Sequence, residues 1–98
     1  MSNEFSPSAI GERLRFLRQA KGVKHGITMA KMVGVSQSRY SNWENGIGVP
    51  PVEFAIKICQ LTGANLDFIY LGNASSLPMH LAKPLFEMPV ELLGKVED

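Results

Sequence analysis

The run GITMAKMVGVSQSRYSNWEN, residues 26–45, constrains the fold of this chain more than any other segment. Met29, Val33, Val35, Tyr40 and Trp43 are apolar at the spacing two short helices need to press one shared face into a core. Ala30 is small where the two helices would touch. Gly34 stands where the chain must leave the first helix sharply, a place that favours positive φ. Ser36 follows two residues later as an N-cap for the second helix. Each signal is weak alone. At fixed offsets they specify two short helices joined by a tight turn.

The flanking sequence supplies three more helices. The first starts near Ser6-Pro7-Ser8, with a serine cap and a proline tolerated in the first turn. Ile10, Leu14 and Leu17 form its buried stripe, and Gly22 ends it beside Lys21, which suits the negative end of the helix dipole. Phe16 lies about 100° from Leu17, off that stripe. It is expected to be covered by the tail or by a second subunit, or to stay partly exposed. The second helix is read as 27–33 and the third as 37–45, closed by Gly46. GIGVPP (46–51) must be a loop, because its glycines and adjacent prolines cannot continue a helix. A fourth helix over about 52–62 buries Phe54, Ile58 and Leu61, with Ala55 and Cys59 flanking, and stops at Gly63. Asn65 then caps a short fifth helix, LDFIYL, which ends at Gly72. The expectation is a compact all-α five-helix domain over residues 6–72.

From Asn73 to Asp98 the composition changes. Pro78, Pro84 and Pro89 cut the segment into pieces too short for stable isolated helices. It nevertheless carries Leu77, Met79, Leu81, Leu85, Phe86, Met88, Leu92 and Leu93, more large apolar residues than a disordered tail normally holds. Residues 73–98 are therefore read as an apolar, proline-punctuated extension that packs on its own domain or mediates dimerisation, a mobile tail being the bland alternative. No apolar stretch approaches the roughly 20 residues that span a bilayer. The N-terminal MSNEFSPSAIGERLRF lacks a basic region followed by an apolar run, so no secretory leader and a cytoplasmic location are expected. The single Cys59 reads as a small buried hydrophobe. His25 and His80 are isolated, no cluster has metal-ligand spacing, and no phosphate-cradling glycine loop occurs. Neither a cofactor nor a metal nor an enzymatic activity is expected.

Net charge is only +1, but it is sorted along the chain. Residues 9–50 hold Arg13, Arg15, Arg18, Lys21, Lys24, Lys31 and Arg39 against Glu12 and Glu44, a net +5. Residues 51–98 hold three lysines against six acids, a net −3. This is the footprint of a small DNA binder with a separate tail. The third helix adds the chemistry. With Tyr40 and Trp43 turned into the core, Gln37, Ser38, Arg39, Ser41, Asn42 and Asn45 remain outside. Amides pair with adenine, guanidinium with guanine, and hydroxyls with either. A merely solvated helix would carry more Glu and Lys. Gln37, Ser38, Arg39 and Asn42 are read as base contacts, a phosphate being the other reach of Arg39. Ser36, Asn45, Lys24 and Lys31 are read as phosphate contacts.

The chain resembles the Cro and lambda-type phage repressors, the XRE-type helix-turn-helix family. The likeness runs over residues 10–72 and includes IGERLRFLRQAKG, MAKMVGVSQSRYSNWENG and LTGANLDFIYLG. It implies a lambda-repressor-like domain that binds double-stranded DNA at inverted-repeat operators as a homodimer and regulates transcription, usually as a repressor. It also implies a structural ion pair between Arg18 and Glu44, and base contacts from Gln37, Ser38 and Asn42. Two departures stand out. The family's glutamine at the start of the second helix is Gly26 here, in a segment one residue longer than usual. The loop after the third helix carries no Lys or Arg. Both remove phosphate contacts and predict modest affinity per subunit. Antitoxins share this fold, so the alternative is an interaction protein whose tail binds a protein partner.

Overall fold

The computed structural model describes residues 5–87, which form six helices. Helix α1 (Pro7–Ala20) is the central rod, in contact with α3, α4, α5 and α6. Ser6 caps it by accepting the Ala9 N–H at 3.1 Å. Pro7 stands at the first helical position, where its missing N–H would have had no helical partner. Ile10, Leu14 and Leu17 are fully buried along it.

Helix α2 (Gly26–Val33) starts one residue earlier than its sequence suggests and ends at Gly34, whose φ of +92° is the left-handed conformation the turn requires. The Gly34 and Val35 N–H groups both donate to the Ala30 carbonyl, which tightens the exit. Ser36 then caps α3 (Gln37–Glu44) by accepting the Arg39 N–H at 3.2 Å. Met29, Ala30, Val33, Tyr40 and Trp43 meet in one core, with Tyr40 and Trp43 edge to face at 6.1 Å.

Helices α4 (Val52–Thr62) and α5 (Leu66–Leu71) complete the domain. Asn65 caps α5 through the Phe68 N–H at 2.8 Å, and the Tyr70 hydroxyl donates to the Pro50 carbonyl at 2.6 Å, which pins α5 to the 46–51 loop. Cys59 is half-buried in α4, and burial pushes its thiol pKa up, as expected of a packing residue.

The extension departs from its proline-broken expectation. Residues Met79–Glu87 form α6 with Pro84 inside it. An internal proline removes one helical hydrogen bond and costs about 3 kcal/mol. Docking supplies more: Leu77, Leu81 and Leu85 are buried against the domain, and each fully buried leucine is worth about 1.5–3 kcal/mol. The His80 Nε2 lies 3.0 Å from the Thr62 carbonyl, a second fastening at the end of α4. Phe16 is buried edge to face with Phe68 at 6.1 Å, and Pro84 lines a small recess beside it. Part of the tail thus covers Phe16 within the same chain. Met88, Pro89, Leu92 and Leu93 lie outside the described residues. Among the described residues no helix is long and apolar enough to cross a membrane.

Candidate nucleic-acid interface

At 100° per residue, α3 divides cleanly into an inner and an outer side. Tyr40, Trp43 and Glu44 are buried, whereas Gln37, Ser38, Arg39, Ser41, Asn42 and Asn45 are exposed. Ser38, Asn42 and Asn45 stand one turn apart along the middle of the outer side. Gln37 and Arg39 occupy its opposite flanks. Ser36, Lys24 and Lys31 are also exposed, Lys31 on α2 and Lys24 in the turn before it.

Two features fix the orientation of this rod. The first is Gly11, where α1 and α3 approach so closely that a Cβ would lie 2.5 Å from the Glu44 carbonyl oxygen and 2.6 Å from that of Trp43. The second is the Arg18–Glu44 pair. Arg18 Nε donates to Glu44 Oε2 at 2.7 Å and Nη2 donates to Oε1 at 3.1 Å, both side chains being under a tenth exposed. Arg18 Nη1 donates to the Val23 and Lys24 carbonyls as well, so one guanidinium ties α1, α3 and the α1–α2 loop. Its hydrogen bond to Glu44 raises its pKa further. The fork geometry suits a bidentate contact that lysine could not reproduce.

The Tyr40 hydroxyl is buried beside this pair without a hydrogen bond of good geometry. Burial first, and the adjacent Glu44 carboxylate second, push its pKa far above the ordinary value. Arg18, Glu44 and Tyr40 also help line a polar recess of about 470 Å³ between α1, the start of α2 and α3, together with Arg15, His25, Gly26, Gln37 and Asn45. His25 stands at the N-cap of α2 and makes no side-chain cap there. A Cβ at Gly26 would rest 3.8 Å from the Tyr40 ring, so the space for a side chain exists and is left open.

Sequence reasoning missed two features of this surface, one residue and the packing of another. Arg15, one turn before Arg18, reaches the end of α3: its Nη2 is 3.4 Å from both the Glu44 carbonyl and Asn45 Oδ1. Its position three residues before Arg18, on a neighbouring part of α1, was the available signal. The other is the setting of Arg39, read as a contact to a base or a phosphate: its guanidinium lies over the rings of Trp43 and Phe54, at 5.5 and 4.9 Å. Phe54 belongs to α4, so only the tertiary fold brings it there. Arg13 is the third arginine of α1 and is buried, donating to the Ile69 carbonyl at 3.1 Å. Among the described residues no group of three or more His, Cys, Asp or Glu side chains could hold a metal.

A family model described as helix-turn-helix matches residues 14–69, which runs from the middle of α1 into α5. No curated protein and no solved structure matches the chain.

Proposed function

Because the chain belongs to the Cro and lambda-repressor-type helix-turn-helix family of DNA-binding transcription regulators, we propose that it is a small repressor. It acts as a dimer on an inverted-repeat operator, with α3 in the major groove. The observation that carries this reading is the outer side of α3. It offers amides and hydroxyls to base edges while Tyr40, Trp43 and Glu44 hold its inner side. Gln37, Ser38 and Asn42 read bases in this account. Ser36 and Asn45 at the helix ends, with Lys24 and Lys31 alongside, meet phosphates.

Dimerisation is supported by what α5 and α6 leave uncovered. Leu77, Leu81 and Leu85 are used by the chain's own core, which reduces the apolar surplus of the extension. Leu71, Met79 and Phe86 remain exposed, the last two about three-quarters so. These residues supply the apolar surface of the proposed dimer. A partner of another kind, as in the antitoxin reading, would use the same surface.

Selection from random duplex DNA tests the proposal. Wild-type protein should enrich two half-sites in inverted repeat, and Gln37→Ala should lose about 1–3 kcal/mol of discrimination at one base position. Enrichment of no sequence would refute the reading, and a strict monomer at micromolar concentration would refute the dimer.

A further inference from the structure

We propose that Arg39, cradled on Trp43 and Phe54, is a phosphate site for the DNA backbone at the α3–α4 edge, and not a base reader. The inference rests on the DNA-binding reading above and assigns one residue within it. Its first support is direction. On the wheel of α3, Arg39 takes the flank next to Trp43 and turns to α4, whereas Gln37 on the other flank turns to α1 and the start of α2. Its guanidinium lies 4.9 Å from the Phe54 ring centre and 5.5 Å from that of Trp43. Both distances are within the range at which a cation is held by a ring face.

Stacking decides which atoms remain available. A guanidinium that gives its flat face to aromatic rings keeps its N–H donors in plane, at the exposed edge. Those donors form a fork that matches two phosphate oxygens. The rings also restrict the side chain before DNA arrives, which lowers the ordering cost of the contact. Arg39 itself is solvent-exposed, and among the described residues it makes no ion pair. Its charge is therefore open to an incoming anion.

The second support is what surrounds it. The loop 46–51 carries no cation, and Lys57, the cation on α4, reaches towards Gly34 at the end of α2, where a Cβ would lie 3.7 Å from its Nζ. Glu53, next to Phe54 in the first turn of α4, opposes any anion here. A strand of phosphates passing this edge would meet an apolar rim of Ile47 and Val52, both more than half exposed, if Arg39 were turned elsewhere. The aromatic cradle thus puts on the recognition helix the charge that the neighbouring loop lacks.

The test is a fluorescence titration of full-length protein with a duplex carrying the selected site and with duplexes changed at single base pairs, each over a range of salt. Trp43 is the one tryptophan in the chain and lies under Arg39, so its emission reports the contact directly. Arg39→Gln should weaken binding to all the duplexes by a common factor of roughly five to ten and make the log–log salt slope shallower by about 1. Its Trp43 emission change on binding should shrink. Arg39→Lys should keep the slope and still bind more weakly, because an ammonium lacks the fork. Phe54→Leu, which leaves the charge and loosens the cradle, should fall between wild type and Arg39→Gln. Loss of discrimination at one base pair with an unchanged salt slope would overturn the proposal in favour of a base reader. Wild-type affinity and slope in folded Arg39→Gln would overturn it in favour of a packing arginine, with DNA binding itself left standing. A wild-type protein that bound no duplex would overturn both readings.

Discussion

Gly11→Ala should destabilise this protein, although alanine is the better helix former. The gain from replacing a helical glycine by alanine is about 0.5–1 kcal/mol. Against it stands the close approach of α1 and α3. The new methyl would lie 2.5 and 2.6 Å from two backbone carbonyl oxygens, about 0.9 Å inside the 3.4 Å at which ordinary contact begins. Both neighbours are main chain, so no side chain can swing aside. The helices must part instead, and that also disturbs the Arg18–Glu44 bridge, which includes the residue struck. Overpacking of a well-packed core costs typically 1–3 kcal/mol, and backbone neighbours put this site at the upper end. The net loss is about 2 kcal/mol, which lowers Tm by roughly 8–16 °C in a domain of this size. Thermal unfolding followed by circular dichroism measures it. Since the displaced residues end α3, affinity for an operator duplex should fall in the same variant. A Gly11→Ala protein as stable as wild type, or more so, would show that α1 and α3 do not cross as closely as described.

Tyr40→Phe should cost little near neutral pH, because the hydroxyl it removes has no good hydrogen bond, and should extend stability in alkali. The sign follows from linkage: the Tyr40 pKa is raised in the folded state, so its contribution is complete below the ordinary value near 10 and is lost as pH rises above it. Denaturant midpoints measured from pH 7 to 11 should drop more steeply in wild type than in the variant, and identical profiles would contradict this. Glu44→Ala leaves the buried Arg18 guanidinium without its carboxylate and should cost about 3–5 kcal/mol by urea unfolding, enough to approach the whole stability of a small domain. Pro84→Ala restores a hydrogen-bonding N–H inside α6 and should raise stability by about 1–2 kcal/mol, the lost contact at the Phe16 recess offsetting part of the gain. A lowered Tm in that variant would mean that the proline shapes the docked helix rather than strains it.

The helix ends were legible because capping is local. Ser6, Ser36 and Asn65 each accept an N–H three residues on, and Gly34, Gly63 and Gly72 carry the positive φ that ends a helix. The outer side of α3 was legible for the same reason, since one periodic pattern fixes which side is buried. What escaped depends on distance through space. Helix α6 crosses a proline because Leu81 and Leu85 dock on the domain, an outcome that local helix rules count against. Gly11 gave no sign of its contact, since nothing in the first helix announces the carbonyls of residues 43 and 44. Arg39 rests over Phe54, fifteen positions later, a contact that the periodicity of the third helix does not announce. Gly26 was read as a lost phosphate contact, and the fold adds that the space against Tyr40 stays open.

The most direct measurement of the central claim is a nuclear magnetic resonance titration with the selected operator duplex, following side-chain amide signals. The account predicts that those of Gln37 and Asn42 shift strongly, while those of Gln19 and Gln60, exposed on α1 and α4, do not. Unmoved Gln37 and Asn42 signals, in a protein that nevertheless holds the duplex, would contradict it.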